Sequence, residues 1–96
     1  MGEEELDDYE ASLELSLVQE YKAVVGMFHY AVETDRRFYL ANDVAVDVKD
    51  TSPPMVELTL SDAWVWDMYR AARFVPSVRV LTFRDVNIER LPKDEL

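Results

Sequence analysis

Trp64, Trp66, Tyr69, Arg70, Arg73 and Phe74 fall within eleven residues of one another. Tryptophan, tyrosine and arginine are the types that dominate hot spots at protein interfaces. The same types build stacking platforms for single-stranded nucleic acid. Trp64, Trp66, Tyr69, Arg70 and Arg73 are therefore the candidate contact patch for a partner. In a chain this short, the tryptophans could equally be core, with the arginines at its rim. Arg36, Arg37, Arg79 and Arg84 lie elsewhere in the chain and are candidate phosphate contacts. Phosphate binding would require the acidic front of the chain to lie on the far side of the molecule, since it would otherwise repel the ligand.

Catalytic chemistry finds less support. Phosphate-cradling loops need closely spaced glycines, and this chain has only Gly2 and Gly26. His29 is the single histidine, and no G-x-S-x-G elbow surrounds any serine. Placed between Phe28 and Tyr30, His29 reads as an ordinary strand residue. One histidine and no cysteine argue against a zinc site and exclude thiolate metal sites. Only carboxylates remain for a metal: Asp43 and Asp47 share one strand face, and Asp62, Asp67, Asp85 and Glu89 are scattered. A carboxylate-dependent enzyme using Asp62, Asp67 or Asp85 is the weakest of three readings, and no metal or cofactor is implied.

The charge of −10 is unevenly distributed. Residues 1–20 hold eight acids and no Lys or Arg, and Asp94 and Glu95 add two more, so the stretch 21–93 is neutral. Residues 62–84 carry four arginines against two aspartates. The acidic pI thus describes the ends of the chain, and a local basic face is compatible with it. The absence of cysteine rules out a disulfide scaffold. The acidic start lacks the pattern of a signal peptide, and no apolar run is long enough for a membrane span, so the expected location is the cytoplasm.

The elements that must position these residues follow from hydrophobic spacing. One domain over 1–96 is expected, with 1–7 a flexible acidic leader and 92–96 a flexible tail. Tyr9, Leu13, Leu17, Tyr21, Val24, Val25 and Phe28 recur at spacings of three and four, predicting an amphipathic helix from about Asp8 to Val25. Asp7 is the expected N-cap and Gly26 the expected stop. From Phe28 the period is two: Phe28, Tyr30 and Val32, then Phe38, Leu40, Val44, Val46 and Val48, then Val56, Leu58 and Leu60. Asn42 interrupts the second run, predicting a bulge or short break. Asp35-Arg36 is a turn, and Val78–Phe83 is the last strand. The stretch after Trp66 reads as an irregular connection or one helical turn. The expected fold class is α+β, with the helix packed on a mostly antiparallel sheet of about four strands.

The segments DAWVWDMYRAARFVPSVRVLTFRDVNIE, ETDRRFYLAND and LELSLVQEYK are long and idiosyncratic. From about Tyr9 to Glu89 the chain resembles an actinobacterial family of short acidic proteins classed as a domain of unknown function. That resemblance carries no ligand or catalytic residue. It implies a gene neighbourhood near ribonuclease HII and other nucleic-acid or ribosome functions. The expectation that results is a non-catalytic protein-interaction module whose partner belongs to that machinery. An RNA- or ribosome-associated factor is the alternative.

Overall fold

The computed structural model describes residues 3–92, with side chains placed from Asp8 onward. Helix α1 spans Glu3–Val24. It begins five residues earlier than the spacing predicts, so Asp7 is inside it and residues 3–7 are helical. Glutamate is a good helix former, and acids in the first turns complement the positive end of the helix dipole. Residues 1, 2 and 93–96, and with them most of the expected tail, lie outside the described part. After Val24 the chain tightens into a 3-10 turn, Val25–Met27. Gly26 takes part in that turn without a positive φ, so it does not act as a left-handed cap. No helix among the described residues is long and apolar enough to cross a membrane.

Five strands follow: β1 Tyr30–Glu33, β2 Phe38–Lys49, β3 Met55–Val65, β4 Phe74–Thr82 and β5 Asn87–Arg90. They form one sheet in the order β4-β3-β2-β1-β5, and all four pairings are antiparallel. The fifth strand exceeds the expected four. It is short, exposed throughout and without an apolar alternation, so nothing in its sequence marks it as a strand. The Thr34–Arg37 turn falls as predicted, and Thr34 Oγ1 accepts the amides of Arg36 and Arg37. Residues 67–73 form an irregular connection with a turn.

A crease runs across the three long strands. The β2–β3 ladder passes from Ala41↔Ala63 to Asp43↔Ser61, and the β3–β4 ladder from Ser61↔Ser77 to Ala63↔Val75. Asn42, Asp62 and Pro76 are the skipped positions. Asp62 has φ 52°, in the left-handed region that favours Gly, Asn and Asp. Pro76 has no amide to offer a ladder. The Asn42 side-chain amide donates to Asp62 at 2.6 Å, and His29 Nδ1 meets Asn42 Oδ1 at 2.7 Å, where the imidazole N–H donates. The expected interruption at Asn42 is therefore a matched break. Register is unchanged on both sides, while the side-chain parity of all three strands inverts.

That inversion explains the two core clusters. On the helix side lie Leu17, Val24, Phe28, Ala31, Leu40 and Trp64. On the other side lie Tyr39, Ala41, Ala63 and Val65 from one side of the crease, with Leu58, Leu60 and Val80 from the other. Phe28 belongs to the first cluster and Val32 to the second, so the predicted alternation through β1 does not hold. The second cluster is buried because the sheet curls over it. From Phe38 to Val48 a flat strand would measure ~33 Å. The link from β4 to β5, Phe83–Val86, reaches at most ~17 Å. Yet it joins the far end of β4 to β5 beside the β1–β2 turn, with Arg84 Nε 3.4 Å from Asp35. Only a sharply bent sheet allows this, and Val86 packs on the cluster as it crosses.

Among the described side chains, it is those of the second half of α1 that dock on the sheet. Leu17 and Val24 are buried and Tyr21 half-buried, whereas Tyr9, at the start of the predicted stripe, stands exposed.

Candidate functional site

The predicted contact patch divides into structural and exposed members. Trp64 is fully buried. Its Nε1–H donates to Glu20 Oε1 at 2.7 Å. Arg73 Nε donates to the same oxygen at 2.8 Å, and its Nη2 donates to Glu20 Oε2. Arg73 Nη1 also donates to the Arg70 carbonyl at 2.9 Å. The Arg73 guanidinium holds the Glu20 carboxyl below its ordinary pKa, helped by the Trp64 hydrogen bond and opposed by burial. Glu20 in turn raises the pKa of Arg73. These three residues lock α1 to β3 and the following connection. Arg73 and Trp64 are thus committed to holding the helix rather than offered to a partner.

Trp66, Tyr69 and Arg70 stay nearer the surface. Trp66 stands edge-on to Tyr21 at 5.3 Å, Phe38 at 6.1 Å and Trp64 at 5.8 Å between centroids, geometries that suit the ring quadrupoles. Tyr21, Phe38 and Trp66 line a shallow apolar dish. Tyr69 is exposed, and its hydroxyl donates to Glu10 at 3.3 Å. Arg70 is exposed with Nε bonded to the Ala72 carbonyl.

The four predicted phosphate contacts do meet. Arg36, Arg37, Arg79 and Arg84 line one cleft of about 640 Å³, with Thr34, Asp35 and Tyr39 among its other walls. Tyr39 and Val80 in this cleft belong to the cluster opposite α1, so the acidic helix is on the far side of the sheet. Three of the arginines already have acid partners: Arg37 with Asp67 at 3.5 Å, Arg79 with Glu57 at 2.7 Å and Arg84 with Asp35 at 3.4 Å. The guanidinium of Arg36 has none among the described residues. The three paired arginine side chains remain 49–77% exposed, and pairs screened by solvent in this way contribute little.

The carboxylates are dispersed. Asp43 and Asp47 are on the exposed face of β2, Asp62 serves the crease, and Asp67 faces Arg37. Among the described residues, no group of three or more His, Asp or Glu is placed to hold a metal ion.

A further surface has no counterpart in the predicted sites. β1 pairs with β2 only over Phe38–Ala41, so Asp43–Lys49 has β3 on one side and no described strand on the other. On the face shared with Leu58 and Leu60, Val46 and Val48 remain 53% and 65% exposed. The clue in the sequence is a length mismatch: a strand of twelve residues follows one of four.

Residues 1–96 match a family described as "Protein of unknown function (DUF2469)". The uncharacterized protein Rv2901c of Mycobacterium tuberculosis strain H37Rv is 59% identical over 97 residues, covering 100% of this chain and 96% of its own length. The uncharacterized protein Mb2925c of Mycobacterium bovis matches with the same identity and coverage. No solved structure matches the chain. With its whole length matched, and with mycobacterial relatives at this identity, the chain belongs to the DUF2469 family.

Proposed function

We propose that the chain is a non-catalytic protein-interaction module that takes a partner strand along the open edge of β2. The observation that carries this reading is the run Asp43–Lys49, whose outer edge no strand among the described residues pairs, with Val46 and Val48 exposed beside it. Such an edge presents a row of free backbone donors and acceptors, and alternate side chains add specificity. The gene neighbourhood implied by the family resemblance makes nucleic-acid or ribosome machinery the source of partners to examine first. The test is affinity capture from native lysate with the unaltered chain and with Val46→Lys, read by mass spectrometry. Partners lost with Val46→Lys but kept with Tyr69→Ala support edge recognition. Recovery unchanged by Val46→Lys overturns it.

A second reading draws on the arginine cleft, which gathers Arg36, Arg37, Arg79 and Arg84 away from the acidic helix. There the ligand would be the phosphate backbone of RNA. Binding of a single-stranded RNA at low salt, falling steeply with added salt and reduced by Arg36→Ser, supports it. No binding at low salt refutes it.

A further inference from the structure

We propose that the occupant of the open β2 edge is a second copy of this chain, paired antiparallel about a twofold axis through Val46. This rests on the edge-recognition reading above. The free edge is bounded at one end by Ala41, where β1 takes over, and at the other by Lys49, where β2 ends. Its seven residues, DVAVDVK, have Val46 at their centre.

Pairing about that centre sets Val46 opposite Val46, Val44 opposite Val48, and Asp43 opposite Lys49 at both ends. Every valine then faces a valine, on the side of the sheet that carries Leu58 and Leu60. On the other side, opposite charges meet directly, which stabilises cross-strand pairs. Neighbouring registers lose these matches. A slip of one residue turns the valines against the charged face. A slip of two in one direction places Asp43 opposite Asp47, and in the other direction Asp47 opposite Asp47. Both put like charges in contact. Lys49 Nζ lies 2.6 Å from Asp47 and 3.7 Å from Glu57 of its own chain, so the ammonium must be shared with, or turn from, these carboxylates to meet Asp43 of the second copy.

The product is a continuous sheet running β4-β3-β2-β2-β3-β4, with the two half-exposed valines covered. Seven residue pairs make a small interface, in the size class of weak and reversible association. At physiological salt the screening length is ~8 Å, so the charge of −10 on each copy opposes this only weakly.

Sedimentation of the full chain over a wide concentration range should rise from the 11.2 kDa monomer to twice that mass. Val46→Lys, at an exposed position, should keep the monomer's circular dichroism while raising the dimer dissociation constant by about tenfold. Because the chain has no cysteine, register can be read directly. A short bis-maleimide should join Val46→Cys to itself, and should join Val44→Cys to Val48→Cys in a mixture. It should leave Met27→Cys, exposed elsewhere, uncoupled. A monomer at every concentration overturns the proposal, as does a dimer indifferent to Val46→Lys or lacking these cross-links. If such a monomer still captures other proteins through the Val46 edge, self-pairing fails while edge recognition stands. If it captures none, both fail.

Discussion

Replacing Glu20 by glutamine changes one oxygen to an amide nitrogen and removes one charge, with shape retained. Glu20 accepts from Trp64 Nε1, from Arg73 Nε and from Arg73 Nη2. The glutamine oxygen can serve only part of this set, and its NH₂ group must then face a guanidinium N–H. The Arg73 charge, on a side chain only 18% exposed, loses its counter-ion. Removing one partner of a fully buried pair costs about 3–5 kcal/mol. The Glu20 side chain is 28% exposed, so water compensates in part, and about 2 kcal/mol is expected. For a domain of this size that corresponds to a fall in Tm of roughly 8–16 °C. The direction with pH is fixed by the lowered pKa of Glu20 in the folded state. Its stabilisation is complete above the ordinary carboxylate value of 4.5 and is lost as pH falls through the lower folded value. Melting followed by circular dichroism at pH 7 and at successively lower pH tests both points. The gap between the two proteins should be widest near neutrality and should close in acid. A Gln variant that melts within a degree or two of the parent at pH 7, or a gap that persists unchanged in strong acid, would refute the claim that this carboxylate clamps the helix.

Four other substitutions, at three positions, separate the roles assigned above. Trp64→Ala should destabilise by about 3–5 kcal/mol in urea titration, since the whole indole is buried. Arg70→Ala, at an exposed site, should stay within about 0.5 kcal/mol of the parent. At the crease, Asp62→Val places a β-branched residue at φ 52° and deletes the bond from Asn42. A loss of about 2–3 kcal/mol by the same titration is expected, whereas Asp62→Gly, which accepts that backbone freely, should cost about 1 kcal/mol or less.

Period-three-to-four spacing made the helix legible and period-two spacing made β2 and β3 legible, whereas β4 was legible only from Val78 onward, four residues after it begins. The same logic failed where burial did not follow spacing. β5 packs no alternating apolar set, so its strand character comes from pairing with β1 alone. Clustering of Trp64, Trp66, Tyr69, Arg70 and Arg73 in sequence was real, yet sequence proximity does not distinguish a rim from a core. Trp64 alternates inward and Arg73 folds back to meet a helix carboxylate 53 residues away. Glu20 carried a readable signal: it is three residues after Leu17 and four before Val24, so it lies at the border of the buried stripe. A carboxylate there needs a cation from whatever the stripe covers.

The crease ties the stable half of this molecule to its open half. Without parity inversion, Tyr39, Ala41, Ala63 and Val65 would share a face with the polar row of exposed Asp47 and half-buried Thr59, and the apolar set of β2 and β3 would be split between two surfaces. With it, one apolar face continues through the bend, and curvature covers most of it without a second layer. The coverage ends at β2, because β1 stops at Tyr30 opposite Ala41 and cannot follow the strand around the crease. Leu58 and Leu60 are therefore fully buried, while their ladder neighbour Val46 is not. Lengthening β1 would cover that edge, but it would have to pass His29, whose side chain is bonded to Asn42 at the crease itself. The residues that bend the sheet are thus the ones that leave its β2 edge without a strand partner among the described residues.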